Sequence, residues 1–134
     1  MGVLFEICCP HCGYKRNLNL GQGVMDHKLE KVLPLFSREL QERIKKALQD
    51  MSDEYFWVME RKLGYCRECG VYEAVPVFRI LYGDRELRFG EKCVCGSDYD
   101  ILTMDETELA KEIAECVCQN CKGRLEGKIV GNWD

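Results

Sequence analysis

Cysteine is the residue in this chain with the most chemistry to offer. Ten cysteines stand among 134 residues, and eight of them fall into four close pairs: Cys9-Pro-His-Cys12-Gly, Cys66-Arg-Glu-Cys69-Gly, Cys93-Val-Cys95-Gly and Cys118-Gln-Asn-Cys121-Lys-Gly. A two-residue spacer lets one tight turn aim both thiolates at a point while backbone N–H groups face the sulfurs. Four such knuckles supply enough ligands for two tetrahedral metal sites. The expected ligands are Cys9, Cys12, Cys66, Cys69, Cys93, Cys95, Cys118 and Cys121. Thiolate-only donor sets favour zinc, although iron in a rubredoxin-like site uses the same sulfurs. Coordination by four cysteines leaves no position for water or substrate, so the zinc is expected to be structural. Gly13, Gly70 and Gly96 directly follow a pair and can take the positive φ such a turn needs, whereas Gly123 arrives one residue late.

Other uses of cysteine explain less. A redox dithiol is expected once, opening a helix after a strand, and no pair here is followed by a helical pattern. Simple burial suits isolated residues such as Cys8 and Cys116. The third pair has a single intervening residue, which points to a distorted site for which Cys8 or Cys116 could substitute. His11 and His27 read as solvated surface residues. An enzyme is not expected, because the chain has no Gly-rich phosphate loop, no paired carboxylates and no defensible His–Cys set.

The elements that must position these pairs follow from periodicity. Tyr14 to Leu20 alternates as a short strand and ends at the turn Gly21-Gln22-Gly23. Residues 26–50 contain no cysteine and read as a helical insert interrupted at Pro34, as two helices or one kinked helix, roofing sheets too thin to bury a core alone. Tyr55 to Tyr65 reads as an aromatic strand leading into the second knuckle. Val71 to Tyr82, the turn Gly83-Asp84 and Glu86 to Phe89 read as a hairpin, with Pro76 at an edge or bulge. Gly96 to Leu102 follows as a third strand. Asp105-Glu106-Thr107-Glu108 has capping-box form and starts a short helix to about Glu115. Gly127 to Trp133 closes the chain as a strand. The expectation is one compact, small α+β, metal-stabilised domain over 1–134.

The knuckle, hairpin, knuckle order over 65–102 resembles the zinc ribbons of transcription factors, which implies that Cys66, Cys69, Cys93 and Cys95 share one zinc. Cys9, Cys12, Cys118 and Cys121 then hold the other, a nesting that resembles the cysteine-rich domain of the J-domain co-chaperones without its CxxCxGxG repeats. Sequential pairing of the knuckles competes with nesting, since loop entropy grows too slowly with length to decide. The opening CxxCG, short strand and Leu20-Gly21-Gln22-Gly23 turn are similar to those of a broad group of uncharacterised bacterial zinc-ribbon proteins. The resemblance implies a rubredoxin-like zinc-ribbon fold and no catalytic residues.

Composition narrows the partners. Nineteen basic against 23 acidic residues give a formal charge of −4, which disfavours a broad grip on nucleic-acid backbone. Residues 1–49 are nevertheless net basic and 50–134 net acidic, so Lys15, Arg16, Arg43, Lys45 and Lys46 are the candidates if nucleic acid is bound. A protein partner is the favoured expectation, with Phe56, Trp57 and Trp133 as candidate contacts. A transcription-related role is a further alternative, because ribbons of elongation factors carry acidic residues at the hairpin tip, where Asp84 and Glu86 stand. The first residues form no signal sequence and no apolar run approaches the ~18 residues of a membrane span. The chain is therefore expected in the cytoplasm, where disulfides are rare.

Overall fold

The computed structural model describes residues 2–52, 54–102, 106–118 and 120–134, with side chains for all of these but residues 106 and 107. Seven strands form one antiparallel sheet: β1 (Gly2–Cys8), β2 (Lys15–Gly21), β3 (Phe56–Tyr65), β4 (Tyr72–Tyr82), β5 (Arg85–Gly90), β6 (Asp100–Leu102) and β7 (Glu126–Trp133). Their spatial order is β5-β4-β3-β2-β1-β7, with β6 also on β3. Among the described residues three α-helices accompany the sheet: α1 (Leu29–Val32), α2 (Arg38–Gln49) and α3 (Glu106–Ala114). The small α+β expectation holds at this level.

Two hairpins carry the first two knuckles as their turns. Strands β1 and β2 pair up to Cys8↔Lys15, and β3 and β4 pair up to Tyr65↔Tyr72, so each chain reversal is itself a cysteine pair. Strand β1 was not expected from sequence. Its segment Val3-Leu4-Phe5-Glu6-Ile7 buries Phe5 and Ile7 completely and also Glu6, so the inside–outside alternation that marks a half-exposed strand is blurred. It is central in its half of the sheet, flanked by β2 and β7.

The third ribbon strand is shorter than expected and pairs elsewhere. Only Asp100–Leu102 is extended, and it lies along Leu63–Tyr65 of β3. That flank is free because β2 meets β3 only at Gly21↔Arg61 before the strands diverge. Pro76 faces Arg61 on β3, and β5 pairs with β4 only from Val77 onward, so the proline occupies a locally open flank.

The helical insert is broken as Pro34 demands. A 3-10 turn (Val24–His27), α1 and a second 3-10 turn (Leu33–Leu35) precede α2, because proline lacks the N–H and crowds the preceding turn. Ser37 then restarts the helix, its Oγ accepting the Leu40 N–H at 3.4 Å. Leu40 and Ile44, one turn apart, press onto Met59, Phe78, Ile80 and Phe89 of the β3–β4–β5 meander. The proposed N-cap Asp105 lies outside the described residues, but α3 is present and buries Leu109 and Ile113, also one turn apart.

Two hydrophobic clusters result. One joins Val32, Phe36, Leu40 and Ile44 to β3, β4 and β5. The other gathers Phe5, Ile7, Leu18 and Leu20 with Leu109, Ile113 and Leu125, and borrows Leu63 and Tyr72 from β3 and β4. The sheet halves are pinned at the end away from the knuckles: Arg61 pairs with buried Asp26 and stacks over Trp133, whose Nε1–H donates to the Leu20 carbonyl at 2.9 Å. Gly2 and Gly23 leave room for that ring, since a Cβ at either would stand within 2.4 Å of it.

Candidate metal centres

The structure gathers the eight paired cysteines into two quartets, Cys9, Cys12, Cys118, Cys121 and Cys66, Cys69, Cys93, Cys95. In each, all sulfurs lie within 4.8 Å of one another. The nested pairing expected from the hairpin is therefore the arrangement found. The closest sulfur pairs are Cys9–Cys121 at 3.4 Å, Cys12–Cys118 at 3.6 Å, Cys66–Cys95 at 3.6 Å and Cys69–Cys93 at 3.7 Å. A tetrahedral ion with metal–sulfur bonds of about 2.3 Å holds its sulfurs about 3.8 Å apart. The distances match such an edge and are far from the ~2.05 Å of a disulfide. Two metal ions fit, and the donor set is compatible with structural zinc.

Three knuckles share one backbone pattern. The first cysteine's N–H donates to the carbonyl five residues on, and the residue four on donates back: Cys9 with Tyr14 and Gly13, Cys66 with Val71 and Gly70, Cys118 with Gly123 and Lys122. In the third knuckle both bonds contract by one residue, to Ser97 and Gly96 around Cys93. The missing spacer residue is thus absorbed by a tighter turn, and neither Cys8 nor Cys116 takes a place in a quartet. Gly13, Gly70 and Gly96 all have positive φ, as expected. In the fourth knuckle the left-handed residue is Lys122 at φ 65°, the only non-glycine in that region among the described residues. Gly123 is needed for space, because a Cβ there would stand 2.7 Å from the His11 ring.

Charge explains why these sites call for a cation. The Cys12 N–H, opposed by burial and helped by Cys121, brings the Cys9 thiol down to about 6, and the Ser97 hydroxyl and N–H bring Cys95 down to about 6. Others move the opposite way. The Tyr14 N–H favours the Cys12 thiolate, but burial and the Cys118, Cys121 and Cys9 thiols outweigh it and push Cys12 up to about 12. The Cys95 and Cys93 thiols likewise push Cys69 up to about 12. Clustered sulfurs cannot all ionise without a positive charge at their centre.

The remaining candidates are placed as follows. Cys116 accepts the Tyr72 hydroxyl at 2.8 Å and donates to the Glu112 carbonyl, a contact across 44 residues that no local pattern signals. His11 is exposed at the first knuckle and His27 ends the 3-10 turn. Arg16 pairs with Glu73, Lys45 with Glu42 at 3.8 Å, and Arg43 lies over the Phe89 ring. At the hairpin tip Glu86 is held by Arg79 and Arg88 at 3.4 and 3.5 Å. Trp57 is stacked on Phe78 and Trp133 is anchored by Arg61, while Phe56 is 64% exposed. No helix among the described residues is long and apolar enough to cross a membrane. Neither a family model, nor a curated protein, nor a solved structure matches the chain, so the two cysteine quartets themselves carry the functional argument.

Proposed function

We propose that this chain is a non-enzymatic, cytoplasmic protein-interaction module of the zinc-ribbon type, held in shape by two structural zinc ions. The observation that carries the reading is the pair of complete four-sulfur quartets, which leave an ion no open position for substrate or water. Zinc is the metal such thiolates favour in a reducing compartment, with iron as the competing occupant. Filling both sites changes the electrostatics. Eight thiolates add −8 to the formal −4 and two zinc ions add +4, which gives −8 overall. A polyanion is then a poor partner, and several basic side chains that would reach phosphates already have protein partners.

A protein partner has a surface to meet. Val24, Met25, Tyr55 and Phe56 are exposed at the end of the sheet away from the knuckles, and Tyr55 and Phe56 line a cleft with Asp26 and His27. Exposed large apolar residues grouped in this way are characteristic of interaction surfaces. Metal analysis of the purified chain should find two zinc ions with four sulfurs each, and absorption-edge spectroscopy showing a zinc–oxygen bond would overturn the structural assignment. Phe56→Ser should abolish partner capture from cytosol at unchanged metal content. Capture that survives this change would remove the cleft from the proposal.

A further inference from the structure

A cavity of about 650 Å³ lies between the two metal centres, a volume typical of small-molecule sites. Gly70 and Val71 from the second knuckle form one wall, Cys118 and Asn120 from the fourth form another, and Tyr14 enters from the first. The floor is aromatic. Tyr65 and Tyr72, register partners on β3 and β4, bring their rings to 4.8 Å between centroids with a 35° tilt. The Tyr72 hydroxyl is already committed to Cys116, so this residue offers its ring face and not its proton.

The same cavity is acidic. Among the described residues, Asp100, Glu112 and Glu115 line it against one cation, Arg67, whose Nε is held by Asp100 at 2.6 Å. Glu112 and Glu115 have no ion pair among the described residues. Filled cysteine quartets on either side would each add two negative charges. Burial, followed by the hydrogen bond to Cys116, pushes the Tyr72 phenol far above its ordinary range, so the ring lining the cavity stays uncharged. An anion would meet three carboxylates and an arginine already paired. An uncharged apolar molecule would fill the volume but leave the exposed Glu112 and Glu115 carboxylates without a counter-charge. A cation on an alkyl stem satisfies both the rings and the carboxylates.

We propose that this cavity binds an organic cation, an ammonium or guanidinium on an alkyl stem, with its charge toward Glu112 and Glu115 and its stem against the Tyr65–Tyr72 pair. The same chemistry is offered by a free amine and by a lysine or arginine side chain. The proposal rests on the structural-metal reading in that filled centres hold the knuckle walls in place and add to the negative charge around the cavity.

The test is calorimetric titration of the full chain, with metal content measured on the same samples. Three probes of equal carbon number separate the chemistry: pentylamine, pentanol and pentanoate. Pentylamine should saturate, pentanol should bind about tenfold more weakly, and pentanoate should not bind. Glu112→Gln with Glu115→Gln, and separately Tyr65→Leu, should each weaken pentylamine about tenfold at unchanged metal content and melting temperature. Nα-acetyl-lysine amide binding more tightly than pentylamine would identify a peptide side chain as the source, and the reverse order a free amine. A chain that retains both ions yet shows no saturation, equal binding of pentylamine and pentanol, or no response to the glutamine variants overturns the proposal alone. A chain purified without ions overturns the structural-metal reading instead, and the zinc-reconstituted chain then decides on the cavity.

Discussion

The two cysteine quartets use the same device and are built on opposite terms. Each begins with a knuckle that turns a hairpin, Cys9–Cys12 between β1 and β2, and Cys66–Cys69 between β3 and β4. They differ in where the second pair comes from. Cys93 reaches Cys69 across 24 positions of sequence, and Cys118 reaches Cys12 across 106. The inner centre is therefore assembled by its own meander, whereas the outer centre clasps the two ends of the chain. The cores follow the same division. Cys9 and Cys118 belong to the cluster under α3, and that cluster borrows Leu63 and Tyr72 from the inner meander. Among the described residues, the cluster under α2 takes none from β1, β2, β7 or α3. In apolar packing, then, the outer half leans on the inner one and not the reverse.

That asymmetry is most directly broken by removing one ion at a time. An ion of this kind contributes on the order of 10 kcal/mol to folding, as much as the whole stability of a typical domain. Cys118→Ser should therefore lose one of two ions and the amide-exchange protection of β1, β7 and α3, while β3, β4, β5 and α2 remain protected. Cys93→Ser should lose protection throughout. Equal loss in both variants would show that the halves fold as one unit.

A smaller effect separates the centres by access. Cys12 and Cys121 are exposed in the outer quartet, and Cys95 alone is exposed in the inner one. A chelator should withdraw the outer ion first, read as two phases with a colorimetric zinc dye. Protons compete at both centres. Thiols lifted to about 12, Cys12 outside and Cys69 inside, are protonated at pH 7 until an ion displaces the proton. Metal binding should accordingly strengthen as pH rises and fail as it falls, by at least about tenfold per unit between pH 6 and 8. A pH-independent affinity would contradict full thiolate ligation.

The smallest expected effects lie in the turns. Lys122 occupies the left-handed conformation that glycine fills in the other three knuckles. Lys122→Gly should stabilise the chain by about 0.5–1 kcal/mol, seen as a higher melting temperature. Gly96→Ala should destabilise by about 1 kcal/mol through backbone strain alone, since a Cβ there would meet nothing within 4 Å. A fall in stability for Lys122→Gly would mean that the lysine side chain makes a compensating interaction in solution.

Much of this was legible because spacing is a local property. Cysteines two or three positions apart share a turn whatever the rest of the chain does, so the eight cysteines of the two quartets could be read directly. Glycine after the pair, Pro34 as a helix break and Gly83-Asp84 as a hairpin turn are local in the same sense. Strand β1 escaped notice because burying Glu6 beside Phe5 and Ile7 erases the alternation, and β6 was expected too long, from Gly96, because a three-residue strand has no period to mark where it starts. The left-handed Lys122 escaped because the late glycine at 123 suggested the wrong residue for the role.

By itself, then, the sequence determined the cysteine pairs suited to metal binding and the turns that present them, through covalent spacing and the conformational limits of glycine and proline. Only the tertiary structure decided which knuckles come together in a quartet, that Cys116 meets Tyr72, and that tyrosines and carboxylates distant in the chain line one cavity between the quartets. Those outcomes depend on strand pairing between residues distant in the chain, where the free energy comes from burial and register, and neither is encoded in any short stretch of residues.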